Sequence, residues 1–284
     1  QGAGDASILS GTLPKPKVKD LTEANAALRR LLAQDVNLII WPIPLKRIRL
    51  LLFADSSLGN SSGGSCQLAH MICAADQNLL HGQEAKVSIL TYKSHKSPRA
   101  ASATLMVEAN ALSEGLADAE WVATWFGLAK DLRYDMKKRD LLNREIKITA
   151  IMSGEGKELN MAAITDAKSL YDNLSREQFT GAERRAALEI CVIRDSLEAL
   201  GGSARWVPHE ENPVDCLTKL KGNAARMLQM MRTGKYCLTK EEEEMSKRKQ
   251  YRDDTGMRNP RPKRTMETRA DRWNGSSGYG SARG

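Results

Sequence analysis

Continuous apolar runs and apolar residues at helical spacing succeed one another along this chain, and their succession predicts the order of its elements. Apolar runs at residues 48–54, 65–75 and 85–92, separated by turn-forming residues, predict three successive strands. Helical spacing predicts a long helix over residues 102–132. The remaining segments predict a strand through Ile164, helices over 168–174 and 183–200, a strand over 204–207 and a last helix from Pro213. This order indicates one α/β domain.

Two amphipathic patterns add detail to this picture. Asp20-Leu-Thr-Glu23 matches a capping box, and leucines at helical spacing after it predict an early helix with an apolar face. Trp121 and Trp125 are also spaced by one helical turn. That spacing favours core packing of the two indoles over a platform for stacking bases.

Composition limits the class of protein. A chain of 284 residues with 41% hydrophobic residues can build one sizeable domain with tails. No run approaches the roughly 20 apolar residues of a membrane span, so no membrane partner is expected. The five cysteines contain no C-x-x-C pair, which favours a reduced intracellular compartment over zinc or disulfide chemistry. A start without Met or a signal-peptide profile predicts a piece of a longer polypeptide.

The net charge of +8 is concentrated at the C-terminal end. From Ser246 onward the sequence has 11 Lys or Arg and 4 Asp or Glu, so this part carries +7. It is rich in Gly, Pro and Ser, and we expect it to be disordered and able to follow a phosphate backbone. A merely solvated tail is the alternative. The candidate nucleic-acid contacts are Lys247, Arg248, Lys249, Arg261, Lys263 and Arg264.

Four acidic residues lie where predicted strands end or in predicted helices: Asp55, Glu108, Asp166 and Asp215. Asn212 and Pro213 fit the N-cap and first position of the last helix, which places Asp215 in its first turn. Carboxylates from four separate elements suit two hard divalent cations, Mg²⁺ or Mn²⁺, that clamp a phosphodiester. Ordinary capping is the alternative explanation for each acid taken alone.

His209 precedes Asp215 by six residues, in the loop before the last helix. A histidine there can shuttle a proton or assist product departure. A loop histidine is more often simply solvated, and that interpretation is preferred.

Four motifs surround these acids in order along the chain. They are Phe53-Ala-Asp-Ser-Ser-Leu-Gly, Val107-Glu-Ala-Asn-Ala-Leu112, Ile164-Thr-Asp-Ala-Lys-Ser-Leu170 and Arg205-Trp-Val-Pro-His-Glu-Glu-Asn-Pro-Val-Asp-Cys-Leu-Thr-Lys219. Together they resemble the RNase H domain of copia-type LTR retrotransposon Pol polyproteins, and the last motif is the most specific. The resemblance covers roughly residues 22–232. Departures are Met106, where the family often has an acid, and Ala167, where it often has Asn.

The resemblance implies an RNase H-like fold, with a mixed five-stranded sheet, flanking helices and a disordered basic tail. It divides the chain into a linker with a connecting helix (1–46), the RNase H-like domain (47–232) and a charged tail (233–284). It implies an endonuclease that cuts the RNA strand of RNA–DNA hybrids, with the four acids as ligands of two ions. The implied partner is a reverse transcriptase domain of the same polyprotein, in a cytoplasmic retroelement particle or the nucleus.

Two alternatives remain open at this point. A catalytically decayed or repurposed copy would bind nucleic acid without cutting it. An integrase-like or exonuclease relative would keep the fold, but the fourth acid and the Leu-Thr-Lys ending favour RNase H. Residues 135–159 exceed the family pattern, and residues 145–151 within them have the pattern of an extra strand.

Overall fold

A computed structural model describes residues 2–34, 36–58, 65–98, 103–130, 161–176 and 184–255. One compact unit spans Gln1–Glu244 and a second spans Met245–Gly284. The proposed extra strand at residues 145–151 lies outside the described residues. The domain boundaries at residues 46 and 232 stay predictions.

The elements follow the predicted order, with two helices ahead of the first strand. They are α1 (Gly2–Ser10), α2 (Val18–Leu32), β1 (Ile48–Ser57), β2 (Gln67–Asp76), β3 (Ala85–Lys96), α3 (Thr104–Lys130), β4 (Met161–Thr165), α4 (Lys168–Ser175), α5 (Arg184–Leu200) and β5 (Gly202–Trp206). The chain continues with α6 (Asp215–Thr218), α7 (Ala225–Thr233), β6 (Lys235–Tyr236) and α8 (Glu241–Thr255).

The strands form one mixed sheet in the order β5-β4-β1-β2-β3-β6. β1, β2 and β3 pair antiparallel, whereas β4 is parallel to both β1 and β5. All ten residues of β1 are buried, as its apolar sequence predicts for a central strand. The structure therefore confirms the α/β architecture with flanking helices.

The sheet has a sixth strand that the sequence did not predict. β6 contains only two residues, too few to show an alternating pattern. Its Tyr236 is 2% exposed and packs edge to face on Phe53, with ring centroids 5.2 Å apart. Burial of Tyr236 and Leu238 orders a part of the chain that was expected to belong to the disordered tail, and α8 continues to Thr255. Residues 235–236 and 241–255 thus have regular structure, whereas the largely disordered state expected for the tail as a whole stays a prediction.

Helices cover both faces of the sheet. Leu50, Leu52 and Ala54 alternate toward a cluster built with α3 and α5, whereas Leu51 and Phe53 point to a cluster built with α6 and α7. α3 approaches the sheet closely at Gly115, where a Cβ atom would lie 2.7 Å from Leu52 Cδ1. β1 is thus held from both sides, which fixes the position of its carboxyl end.

Some side chains predicted to be inside are exposed. Trp121 and Trp125 are 48% and 62% exposed, and Leu21 and Leu28 on α2 are 65% and 54% exposed. Helical spacing identifies side chains that share a face but not whether that face turns inward, because both faces of a helix repeat with the same period.

The predicted capping box of α2 is shifted by three residues. Asp20 is the third helical residue, and its Oδ2 accepts a hydrogen bond of 2.9 Å from the N–H of Lys17. Among the described residues, no helix is long and apolar enough to cross a membrane.

Candidate metal centre

Three of the predicted acids meet at one end of the sheet. β1 and β4 are adjacent and parallel, so Asp55 near the end of β1 lies close to Asp166 directly after β4. Glu108 reaches the same place from the second turn of α3. Oxygen atoms of the three carboxylates lie within 4.8 Å of one another. We call Asp55, Glu108 and Asp166 the acidic trio.

The acidic trio concentrates negative charge in a dry environment. Asp55 is 2% exposed, and burial together with the charge of Asp166 raises its pKa to about 7. Burial, followed by the charges of Asp55 and Asp166, raises the pKa of Glu108 well above its usual range. Repulsion among three carboxylates disfavours their joint ionisation, and a divalent cation would relieve it. This donor set of carboxylate oxygens fits Mg²⁺ or Mn²⁺.

Asp215, the fourth predicted ligand, lies next to the trio but is engaged by its own partners. The Lys219 ammonium forms an ion pair with Asp215 Oδ1, and the Asn223 N–H donates to Asp215 Oδ2 at 3.0 Å. Burial opposes ionisation of Asp215, yet hydrogen bonds from His209 and Lys219 hold its pKa well below the usual range. We call Asp215, His209 and Lys219 the paired flank.

His209 connects the two groups of acids. Its Nδ1 lies 2.6 Å from Asp166 Oδ2 and its Nε2 lies 3.1 Å from Asp215 Oδ1. These two hydrogen bonds raise the pKa of His209 to about 10, so the ring is a cation that donates from both nitrogens at neutral pH. The side chain is 53% exposed, but the preferred interpretation of a merely solvated histidine misses both carboxylate contacts.

The start of α6 differs from its prediction. The helix begins at Asp215 with Val214 as its N-cap, so Asp215 is in the first turn as predicted but Pro213 precedes the helix. Asn212 instead accepts a hydrogen bond of 3.2 Å from the Val214 N–H and donates one of 3.0 Å to the Ala54 carbonyl. This side chain ties the loop before α6 to β1, one residue from Asp55.

Two further side chains of the site, Thr218 and Ser57, belong to the sequence motifs but were not predicted as site residues. Thr218 is fully buried, and its hydroxyl donates a hydrogen bond to Asp55 Oδ2. Ser57 in turn donates to the Thr218 carbonyl at 2.9 Å. For Thr218, as for Lys219, the signal in the sequence is spacing, because these two residues follow Asp215 by three and four positions, one turn of a helix.

The predicted nucleic-acid contacts of the tail are only partly described. Lys247 and Lys249 are exposed on α8, which also carries Arg248. Arg261, Lys263 and Arg264 lie outside the described residues. Their contact with nucleic acid stays a prediction.

No protein-family model matches this sequence, and no curated protein matches it. Among solved structures, the chain is similar to the N-terminal RNase H domain of rv2228c from Mycobacterium tuberculosis (TM-score 0.38, 15% identity, covering 60% of this chain and 91% of that one). It is also similar to RNase H1 from Halobacterium salinarum (TM-score 0.34, 13% identity, covering 58% and 89%). A third similar structure is a foamy viral protease-reverse transcriptase in complex with RNA/DNA hybrid (TM-score 0.34, 11% identity, covering 72% and 26%). At such TM-scores the likeness assigns no chemistry to this chain.

Proposed function

We propose that this chain is a metal-dependent nuclease that cuts the RNA strand of RNA–DNA hybrids. The observation that carries the proposal is the meeting of three carboxylates, of which Asp55 and Glu108 are buried and have raised pKa values, while Asp166 directly follows β4. Buried like charges cost folding free energy, so a chain that keeps them together is best explained by a cation that they bind.

The acidic residues of the site are the proposed metal ligands, and Thr218 orients one of them. Asp55, Glu108 and Asp166 would hold a divalent ion, and Asp215 beside them would contribute to a second. Such ions, when bound, supply an activated water and stabilise the leaving 3′ oxygen without a covalent intermediate. Thr218 donates a hydrogen bond to Asp55 Oδ2 and so would leave the other oxygen of that carboxylate free for an ion.

His209 has the position and charge to handle a proton. As an exposed imidazolium held between Asp166 and Asp215, it can donate a proton to a leaving oxygen at the rim of the site. It cannot accept one at neutral pH while both carboxylates hold it, because they raise its pKa to about 10. We therefore assign His209 a role as acid or in product departure, and not as the general base.

The finer parts of the proposal rest on the motif resemblance. The segment from Arg205 to Lys219 supports an RNA–DNA hybrid as the substrate, a reverse transcriptase domain as the partner and a retroelement as the source. The corresponding compartment is a cytoplasmic particle or the nucleus.

A second candidate is a copy that binds nucleic acid without cutting. It is favoured by the state of Asp215, both of whose oxygens are occupied by partners from the chain itself. If those partners are never displaced, the second ion cannot bind and turnover stops.

Cleavage of a labelled RNA–DNA hybrid in different ions separates the two candidates. We expect cleavage in Mg²⁺ or Mn²⁺, and binding without cleavage in Ca²⁺, whose bonds are longer and more variable. Double-stranded DNA of the same sequence is the matched substrate control and should remain intact. Equal cutting in EDTA would disprove the metal mechanism, whereas binding without cutting in every ion would favour the inactive copy.

A further inference from the structure

A cleft outside the metal centre collects four lysines. It has a volume of about 450 Å³ and lies beside the turn between α1 and α2. Lys15 and Lys17 from that turn, Lys19 from the start of α2 and Lys96 from the end of β3 line it, together with Asp20. All four lysines are exposed. We call these four side chains the lysine cleft.

The charge of the lysine cleft is largely uncompensated. Among the residues that the structure describes, no ion pair within 4.0 Å involves any of the four lysines, and the charge of Lys19 helps to lower the pKa of Glu23 one helical turn away. The carboxylate of Asp20 accepts the backbone N–H of Lys17 and so serves the start of α2. Such a concentration of point charges attracts phosphate groups.

The sheet register places the lysine cleft on the same face as Asp55. Ser57 pairs with Gln67, and Gln67 pairs with Lys96, so these side chains share the face to which Asp55 also points. Two strand spacings and two residues separate Lys96 from Asp55, a Cα distance of roughly 12 Å. That distance corresponds to a few nucleotides along a strand.

α1 fixes the position of the cleft relative to the metal centre. A Cβ atom on Gly4 would lie 2.6 Å from the Cys216 carbonyl oxygen, so α1 touches α6 backbone to backbone. The buried Asp5 accepts from Arg30 of α2 at 2.9 Å, and Gln67 Nε2 donates to Ser7 at 2.7 Å. The helix pair is therefore attached both to α6, which carries Asp215, and to β2.

We propose that the lysine cleft binds the phosphate backbone of the same nucleic acid that enters the metal centre, a few nucleotides from the cleaved bond. This inference rests on the proposed function for the identity of the ligand. None of the described residues that line the cleft is aromatic, so they offer no surface for base stacking. Its contacts position a strand without reading sequence.

The test removes three charges from the cleft in the full chain. The variant Lys15→Gln/Lys17→Gln/Lys96→Gln is compared with Lys46→Gln/Lys86→Gln/Lys235→Gln, which removes three exposed lysines at the opposite end of the strands. Both sets are made in an Asp55→Asn background with Mg²⁺, so that substrate is not consumed. Fluorescence anisotropy of labelled hybrids of about 8 and about 20 base pairs is measured across a salt series.

We expect the cleft variant to lower the log-log salt slope for the longer hybrid by roughly 2 to 3, at about 0.7 to 0.9 per lost phosphate contact. The shorter hybrid should lose less, and the control variant should change either affinity by less than about twofold. Equal losses in the two variants, or none in the cleft variant, would overturn the proposal. So would displacement of hybrid by millimolar inorganic phosphate without dependence on length, since that indicates a site for free phosphate.

The two proposals fail in different ways. A chain that cuts hybrid while its cleft variant binds normally refutes the lysine cleft alone. A chain that cuts in no ion, but whose cleft variant loses hybrid affinity as expected, refutes the nuclease and supports the cleft as a nucleic-acid site.

Discussion

The acidic trio and the paired flank lie at the same end of the sheet, yet their electrostatics are opposite. In the trio, buried carboxylates face one another, and the pKa of Asp55 rises to about 7. In the flank, Asp215 is similarly buried, but Lys219 and His209 hold its pKa well below the usual range. His209 contacts both Asp166 and Asp215 and so joins the two.

This difference indicates how the site handles cations. Among the described residues no ion pair involves Asp55 or Glu108, so these two carboxylates gain most from an external ion, whereas an ion that binds Asp215 must first compete with Lys219 and His209. We therefore infer that the trio sets metal affinity, and that the flank holds the last strand-to-helix connection in place until substrate and metal arrive.

The largest effect is expected for loss of a trio carboxylate. Asp55→Asn keeps the shape of the side chain but replaces a charged ligand with a poor one for a hard cation. Single-turnover cleavage of hybrid should fall by at least about 10³-fold, which corresponds to roughly 4 kcal/mol of activation free energy. Affinity for hybrid should be nearly unchanged, because Asp55 is 2% exposed.

Asp172→Asn is the matched control for this loss. It removes a half-exposed carboxylate of α4 that pairs with Lys168, and cleavage should stay within about twofold. Retention of full activity by Asp55→Asn would exclude the acidic trio as the metal centre.

Without metal, substitutions in the acidic trio and in the paired flank should change the free energy of unfolding in opposite directions. Asp55→Asn relieves repulsion in the trio, so the free energy of unfolding in EDTA should rise by on the order of 2 kcal/mol at pH 8. Asp215→Asn leaves Lys219 and the Asn223 N–H without a charged partner, so the free energy of unfolding should fall by about 1 to 3 kcal/mol. Urea unfolding monitored by circular dichroism measures both.

The pH dependence of these changes also has opposite signs. The raised pKa of Asp55 makes its ionisation costly in the folded state, so the gain from Asp55→Asn should be absent near pH 3 and grow between about pH 4 and 7. The lowered pKa of Asp215 adds stability above about pH 4, so the loss from Asp215→Asn should shrink in acid. Changes of equal sign would mean that the two sites do not differ in the way the structure indicates.

Much of the acidic trio could be predicted from sequence, whereas the paired flank could not. Asp55 and Asp166 follow apolar runs that are typical of strands, and parallel strands bring their carboxyl ends together. The state of Asp215 depends on contacts between residues of several segments, among them His209 and Asn223. Only the Lys219 spacing shows in the sequence, and spacing alone does not identify an ion pair.

In the fold, too, local sequence patterns could be predicted, whereas features that depend on tertiary contacts could not. The apolar runs of β1, β2 and β3 were sufficient to predict three buried or half-buried strands. The sequence could not predict whether Trp125 and Leu28 are buried or exposed, because that depends on what each helix packs against. β6 depends on a cross-sheet contact between Tyr236 and Phe53, which local sequence does not encode.

A smaller effect concerns the proton of His209. In the chain without metal, nuclear magnetic resonance titration of its ring should give a pKa far above 6.5, near 10. Asp215→Asn should lower this pKa by removing one of two carboxylate acceptors, and added Mg²⁺ should lower it by placing positive charge nearby. Asp172→Asn should leave it unchanged. A ring that titrates near 6.5 without metal would show that the bridge between trio and flank does not form.

The smallest effect on chemistry is expected from removal of the basic tail. Truncation before Ser246 removes +7 of the net charge of +8 but no residue of the trio or the flank. Single-turnover cleavage at saturating hybrid should therefore stay within about twofold, while affinity at low salt falls and the log-log salt slope drops by about 0.7 to 0.9 for each lost phosphate contact. Binding isotherms across a salt series measure the slope, with the lysine-cleft variant as the comparison, because its charges lie in the first compact unit. An unchanged slope after truncation would mean that the tail is merely solvated, and that the residues up to Met245 hold the hybrid alone.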